Sequence, residues 1–288
     1  MNLRQISISR RSLTIAAVLV ATVSLGLGAH AALNKRALDA GKAIASGQND
    51  AAAARGSKIA LVIGNGHYPD ANAPLAQPIN DARALTAKLR SSGFDVDVVE
   101  DASKDDMRRA VARLQSKVRP DSVVMLYFGG YGVQARRQSY MIPVDAKIWK
   151  EADVRRDGVS IESVLEAVSE KGARAKLVVV DASRRNPWER RFRTYSHGLA
   201  PIAAPDNALI LTSASPGKVA DDSNGANSVL MTELLKELTP QLAGVEAAFN
   251  KTRHAISRAT DGEQVPSVSS SLPEDLSFST AANVKAGS

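Results

Sequence analysis

Apolar residues follow two different periods along this chain, and the change from one to the other predicts strands that alternate with helices. Several short runs are apolar almost throughout and are bounded by turn residues, which is typical of buried strands in a parallel sheet. The predicted strands are residues 58–63, 94–99, 140–142 and 208–212, together with the runs that begin at Val123 and at Leu177.

Between these runs, apolar residues recur every three or four positions, which is the helical period. The predicted helices are residues 80–92, 103–118, 160–170, 227–238 and 244–257. Strands that alternate with helices give right-handed crossovers between parallel strands. The sequence therefore predicts an α/β fold, a three-layer α/β/α sandwich with a mostly parallel central sheet. The stretch 266–273 is expected to be irregular chain.

The N-terminal residues have the pattern of a targeting segment. Arg4, Arg10 and Arg11 precede an apolar stretch over 13–28, and an Ala-His-Ala cleavage pattern follows at 29–31. The paired arginines resemble a twin-arginine signal. We expect 1–32 to be a cleaved signal peptide or an uncleaved membrane anchor. Either version predicts an exported protein, soluble in the periplasm or anchored to the inner membrane.

The remaining chain divides by composition. Residues 33–57 are rich in Ala, Gly and Lys without aromatics, which indicates a linker. The periodic segments occupy 58–272, the predicted domain, and 273–288 are expected to form a flexible tail.

Composition excludes several kinds of chemistry. The 288 residues include no cysteine, so the chain has no disulfide, no thiolate metal ligand and no thiol nucleophile. The formal net charge of +7 suits contact with anionic surfaces, or serves solubility alone. Aromatic residues make up 4% and no basic run is interleaved with them, so no nucleic-acid partner is predicted. No His/Asp/Glu cluster has metal-ligand spacing, and we predict neither a metal nor a cofactor.

Two apolar runs end in glycine-flanked or polar motifs. The first is YFGGYG at 127–132 and the second is DASRRNP at 181–187. Open α/β sheets bind ligands beyond the carboxyl ends of their strands. The first motif resembles the Tyr-x-Gly-His-Gly sequence of the caspase-like superfamily, which includes metacaspases, paracaspases and bacterial relatives. The second resembles its Asp-Ala-Cys-Arg-x-Asn-Pro sequence. Tyr131 stands in the place of the histidine and Ser183 in the place of the cysteine, 52 residues apart against about 50 in caspases.

Further motifs of the superfamily occur in the same order. They are the strand start at 60–65, the Asn-Asp-Ala helix start at 80–82 and the segment 224–232, and together the resemblance covers about 58–272. It implies the caspase fold and, for the family, a peptidase C14 activity: a cysteine-type endopeptidase directed at Arg or Lys.

The two replacements bear on that activity. A cysteine protease needs a thiolate and a histidine that serves as base and acid. A serine hydroxyl depends on a neighbouring base, and a phenol with an ordinary pKa near 10 is a proton donor at neutral pH. We therefore expect the catalytic pair to be lost. The alternative is that Ser183 is a nucleophile served by His67 or His197. His30 falls in the signal segment and His254 on a late helix with a predicted surface position.

The resemblance also implies a substrate cleft. Asp81 and Asp181 match acidic residues that bind an Arg or Lys side chain in the family, and Asp221 or Asp222 falls near a third. The competing roles are helix capping for Asp81 and a backbone contact for Asp181.

The turn residues beside the two motifs have alternatives of their own. Gly130 and Gly132 match positions near the oxyanion hole, or serve only a sharp turn. Tyr131 could fill the space of the imidazole. We expect Arg184 and Arg185 to lie in solvent or to pair with loop carboxylates.

Three functions from different classes fit these observations. The first is an inactive caspase-like protein that binds a peptide or protein with exposed Arg or Lys, as scaffold, decoy or regulator, with an active caspase-like relative among the candidate partners. The second is a peptidase that uses Ser183 with a non-family base. The third is a structural domain of the cell envelope, with membrane contact through the N-terminal segment.

Overall fold

A computed structural model of the chain describes residues 57–185, 187–188, 198–220, 225–239, 244–274 and 276. The predicted signal segment 1–32 and the predicted linker up to residue 56 lie outside these residues, as does most of the predicted tail. Among the described residues, no helix is both long enough and apolar enough to cross a membrane.

Within the described part, nine strands and six helices form. The strands are β1 (Lys58–Gly64), β2 (Asp95–Glu100), β3 (Val123–Gly129), β4 (Gly132–Ala135), β5 (Gln138–Met141), β6 (Val159–Ser160), β7 (Ala175–Asp181), β8 (Ala208–Thr212) and β9 (Ser267–Ser270). The helices are α1 (Pro78–Ser91), α2 (Lys104–Lys117), α3 (Glu151–Asp157), α4 (Ile161–Glu170), α5 (Val229–Glu237) and α6 (Val245–Ala259).

The central sheet has the strand order β2-β1-β3-β7-β8-β9. Its strands are parallel except for β9, which runs antiparallel to β8. Strands β1, β3 and β7 are apolar along nearly their whole length because they are covered on both faces. The strand order places the pair β3 and β7 in the middle of the six-stranded sheet.

Helices cover both faces of this sheet. On one face, side chains of α1, α5 and α6 such as Leu85, Leu234 and Phe249 pack against it. On the other face, Met107 of α2 and Leu165 of α4 do the same. The predicted three-layer α/β/α sandwich with a mostly parallel sheet is confirmed.

A second, three-stranded sheet of order β4-β5-β6 follows β3. Its hairpin turns at Arg136 and Arg137, which have φ of 49° and 66°. Two consecutive residues with positive φ are usually Asn or Gly, so the Arg-Arg pair gives no turn signal in the sequence. For this reason the pattern of residues predicted β5 but not the hairpin.

The prediction that 266–273 is irregular is wrong. Ser267–Ser270 forms β9, whose register pairs Leu211 of β8 with Val268. The strand lies at the edge of the sheet and is half exposed, so serine side chains are accommodated while β8 supplies the backbone hydrogen bonds.

Candidate functional site

The positions of Tyr131 and Ser183 lie side by side at the carboxyl edge of the central sheet. Gly129 and Asp181 are register partners at the ends of β3 and β7, and each target residue comes two positions later. The pairing continues past the strands, because Gly132 N–H donates to the Ala182 carbonyl at 2.9 Å. The structure thus brings the two predicted positions together on neighbouring strand ends.

The Tyr131 ring is part of a buried aromatic cluster, which we define as Tyr68, Tyr131 and Trp188. Ring centroids are 4.7 Å apart for Tyr68–Tyr131 and 5.7 Å apart for Tyr131–Trp188. The three residues are 4%, 7% and 1% exposed, respectively. Apolar side chains of the small sheet and α3, including Ile142 and Val154, pack around them. Tyr131 therefore fills space in the cleft.

Hydrogen bonds fix the aromatic cluster in place. The Tyr68 hydroxyl donates to the Ile142 carbonyl at 2.9 Å and accepts from Tyr131 N–H at 3.1 Å. The Trp188 indole N–H donates to the Asp70 carboxylate at 2.7 Å. The indole bond holds the loop after Ser183 against the loop after β1.

Gly130 and Gly132 serve the turn between β3 and β4. Gly130 has φ of +154°, and a Cβ there would stand 2.5 Å from the Tyr68 hydroxyl, so glycine is required. Its N–H donates to the Asp181 carbonyl at 3.2 Å, and that of Gly132 to the Ala182 carbonyl. Both N–H groups therefore point into the junction of the strand ends. An oxyanion would have to compete with these carbonyls.

Ser183 lies in the loop that follows β7 and is buried. The residue is 1% exposed, and among the described residues its hydroxyl has no hydrogen-bond partner. Its carbonyl accepts from Ala220 N–H at 2.6 Å, which fastens the loop after β8 beside it. A nucleophile needs both a base and access for substrate, and in the described part of the chain this buried hydroxyl has no acceptor for its proton.

The structure describes two of the four histidines, His67 and His254. His67 is directed at the edge of the sheet, since its Nδ1 lies 2.6 Å from a carboxylate oxygen of Asp101, which follows β2. Strand β2 is three strand spacings from β7, at about 4.8 Å each. His254 is exposed on α6. His30 and His197 lie outside the described residues.

The two acidic residues of the predicted pocket are both buried at the carboxyl edge of the sheet. Asp81, in the first turn of α1, accepts hydrogen bonds from the Asn227 side chain at 2.7 Å and from Ser228 N–H at 3.0 Å. Burial raises the pKa of Asp81 to about 6, and the nearby charge of Asp181 contributes to the rise. Asp81 thus bonds to the loop that begins α5 and does not cap its own helix. Asp221, the third predicted carboxylate, and its neighbour Asp222 lie outside the described residues.

The prediction that Arg184 lies in solvent or pairs with a loop carboxylate is wrong, whereas Arg185 is exposed. Arg184 is 5% exposed and turns back onto the strand from which it emerges. Its Nη2 donates to the Asp181 carboxylate at 3.2 Å, and its Nη1 donates to the Asp181 carbonyl and, at 3.2 Å, to the Gly130 carbonyl. A buried carboxylate at the strand end requires a cation, and the guanidinium three residues later supplies it.

Tyr127 also lies close to the buried charges of Asp81, Asp181 and Arg184, and the sequence did not single it out as a site residue. Its hydroxyl is buried and has no hydrogen-bond partner among the described residues. Burial raises the pKa of Tyr127, and the charges of Asp81 and Asp181 raise it further. Tyr127 shares its face of β3 with Val123 and Met125, the face that packs against α1, so strand periodicity could have placed it on the Asp81 side of the sheet.

Over the part of the chain that the structure describes, no group of three or more His, Asp or Glu side chains is placed to hold a metal ion. The described site offers carboxylates, a guanidinium and hydroxyl groups.

Comparison with known proteins connects this geometry to a family. Residues 57–277 match the sequence profile of the family described as Caspase domain, Peptidase C14. The human mucosa-associated lymphoid tissue lymphoma translocation protein 1 is 29% identical over 133 residues, which cover 46% of this chain and 16% of that protein. Its mouse homologue is 28% identical over 133 residues, which again cover 46% of this chain and 16% of that protein. The chain thus matches about a sixth of the length of these curated relatives.

A solved structure resembles the described fold. Caspase-1 from Spodoptera frugiperda superimposes with a TM-score of 0.56 at 14% identity, over 80% of this chain and 93% of that one. At this level of identity the likeness concerns the fold alone.

Proposed function

The chain belongs to the caspase domain family of peptidase C14, and on that premise we propose that it is a catalytically inactive member which binds a peptide or protein through the former substrate cleft. The observation that carries this proposal is the environment of Ser183. Its hydroxyl is buried, and the aligned base position beside it holds the phenol of Tyr131.

The chemistry of the pair supports inactivity. Transfer of the Ser183 proton needs an acceptor with a suitable pKa within hydrogen-bond reach. Tyr131 is a proton donor at neutral pH, and its ring is packed between Tyr68 and Trp188. The imidazole of His67 is engaged with the carboxylate of Asp101, which follows β2. No thiol exists anywhere in the chain.

The polar groups of the cleft support binding. Asp81 and Asp181 place two carboxylates below the junction of β3 and β7, where an incoming Arg or Lys side chain could form charge-assisted hydrogen bonds. A partner with an exposed arginine or lysine matches this charge. Such a protein would act as scaffold, decoy or regulator, and an active caspase-like relative is one candidate partner.

The proposal includes export. The arginines before residue 13 and the Ala-His-Ala pattern at 29–31 direct the chain across the inner membrane, with a periplasmic or membrane-anchored product. The basic balance of the chain suits the anionic surface that it would face there.

The test of binding uses the purified full chain and a pool of fluorescein-labelled peptides with one arginine each. A second pool carries citrulline, the neutral isostere, at that position. We expect higher anisotropy for the arginine pool and a loss of the difference in Asp181→Asn. The matched control is Asp105→Asn, since Asp105 is exposed in the first turn of α2. Equal binding of both pools would contradict the proposal.

A further inference from the structure

We propose that Arg184 is the resident occupant of the acidic pocket, so that the cleft is closed until a basic side chain of a partner replaces it. This inference rests on the proposed function, because it concerns how the same site is opened. Its starting point is a buried guanidinium that the sequence predicted to lie in solvent or to pair with a loop carboxylate.

The charges of the pocket call for a cation. Asp81 is 0% exposed and Asp181 is 2% exposed, and they lie close enough for the charge of one to affect the proton of the other. Two buried carboxylates in one place are unfavourable unless a positive group accompanies them. The hydrogen bonds described for Asp81 come from neutral donors, Asn227 and Ser228, whereas Asp181 receives the Arg184 guanidinium.

The bonds of Arg184 are those that a bound arginine would make. Its Nη2 donates to the Asp181 carboxylate. Its Nη1 donates to two backbone carbonyls, that of Asp181 at the end of β7 and that of Gly130 just after β3. An incoming guanidinium that took these acceptors would replace the bonds one for one. A ligand that did not displace Arg184 would find the Asp181 carboxylate occupied.

The chain can release Arg184 without unfolding the sheet. Arg184 lies in the loop beyond β7, and the next residue, Arg185, is exposed. Four residues after Arg184, Trp188 anchors the loop on the aromatic cluster. Strand β7 is paired with β3 on one side and with β8 on the other, and neither pairing involves the Arg184 side chain. Removal of the Arg184 guanidinium from Asp181 therefore leaves the pairing of these strands intact.

The first experiment measures binding of N-acetyl-arginine methylamide, with the citrulline analogue as neutral control. It compares wild type, Arg184→Gln and the matched variant Arg185→Gln. Glutamine keeps donors for the two carbonyls but leaves Asp181 without a cation. We expect the affinity of Arg184→Gln for the arginine probe to rise about tenfold or more, because the acidic pocket, which Arg184 occupies most of the time in wild type, is always vacant in the variant. Arg185→Gln should bind as wild type does.

A second measurement needs only wild-type protein and so remains decisive if Arg184→Gln fails to fold. Phenylglyoxal modification of arginines is followed by mass spectrometry with and without saturating probe, with the reagent in molar excess over the probe so that the guanidinium of the probe does not consume it. We expect Arg184 to be protected relative to Arg185 in the free protein and to become reactive when the probe displaces it. Unchanged protection at saturation would overturn the inference.

The outcomes separate this inference from the proposed function. If arginine peptides bind wild type and Arg184→Gln equally well, Arg184 only fastens the strand ends, and the inference fails while peptide binding stands. If Arg184→Gln takes up the small arginine probe but no peptide binds, the inference stands and the proposed function fails.

Discussion

The rings of Tyr131 and Trp188 meet edge to face, with their centroids 5.7 Å apart and their planes at 77°. The sequence motif aligns Tyr131 with the histidine of the family, and Trp188 comes from the loop that follows β7. This contact packs the turn between β3 and β4 against the loop that follows β7. Edge-to-face pairs of this kind stabilise a fold beyond the area that they bury.

Replacement of Trp188 by alanine should therefore destabilise the fold strongly. We expect the free energy of unfolding to fall by about 3–5 kcal/mol, as for other large buried aromatic residues. The chain has two tryptophans, and the other, Trp149, is 70% exposed. Trp149→Ala is thus a matched control, with an expected change within about 0.5 kcal/mol. Urea denaturation of both variants measures the difference, and similar losses in the two would contradict the buried position of Trp188.

The burial of position 183 can be tested with an introduced thiol. Since the chain has no natural cysteine, Ser183→Cys carries a single thiol. We expect it to react with iodoacetamide about tenfold or more slowly than Ser91→Cys, whose site is exposed at the end of α1, because reaction requires the loop to open. Adding Trp188→Ala should raise the rate in the Ser183→Cys protein and leave that of the control unchanged. Equal rates at the two sites in the parent fold would mean an open cleft.

Proteolysis should be absent. We expect the full chain to cleave Arg- and Lys-containing peptides no faster than Ser183→Ala, because neither a thiol nor an aligned base is present. A fluorogenic peptide library measures this at neutral pH. Cleavage that Ser183→Ala abolishes would reverse the conclusion, and variants of His67 and His197 would then identify the base.

The pKa of Asp81 gives a prediction about pH. Burial and the charge of Asp181 raise it from 3.8 to about 6 in the folded protein. Between these values the folded state holds a proton on Asp81 that the unfolded state has released, so the contribution of Asp81 to stability falls as pH rises from about 4 to about 6. We expect the free energy of unfolding of the wild type to decrease, relative to that of Asp81→Asn, by up to about 3 kcal/mol over this range. Urea denaturation at several pH values measures the slope, and parallel curves for the two proteins would show that Asp81 stays ionised.

The targeting prediction concerns residues 1–32. N-terminal sequencing of the protein isolated from the cell envelope should begin near Ala32 if the segment is cleaved, or at Met1 if it is an anchor. Replacement of Arg10 and Arg11 by lysine should block export by a twin-arginine route and leave the precursor inside the cell. A full-length chain found only in the cytoplasm of cells with the natural sequence would contradict both versions.

Sequence periodicity predicted the layers of the fold because burial dictates them. A continuous apolar run such as the one in β3 is buried on both faces, and a strand in the middle of a sheet covered by helices provides that burial. The segments that it missed are ones where local signals are weak. The β4–β5 hairpin turns at two arginines, and the serines of β9 form an edge strand only because β8 is there to pair with it.

The site was predictable as far as backbone positions go. The motifs placed Tyr131 and Ser183 on neighbouring strand ends, since parallel strands end at the same edge. The direction of long side chains was not predictable. Nothing in the residues around Arg184 tells that its guanidinium turns back to Asp181, because that direction also depends on the Gly130 carbonyl, 54 positions away in the chain. Trp188 likewise packs against Tyr131 from a distant segment.

The aromatic cluster also bears on how such a chain could change over generations. A change of Tyr131 to histidine alone removes ring contacts with Tyr68 and Trp188 and gains no reactivity, since position 183 still carries a buried hydroxyl. A change of Ser183 to cysteine alone leaves the thiol beside a phenol. Each single step toward a histidine–cysteine pair lowers stability or brings no benefit. Selection that acts on one substitution at a time would therefore favour neither step toward a histidine–cysteine pair.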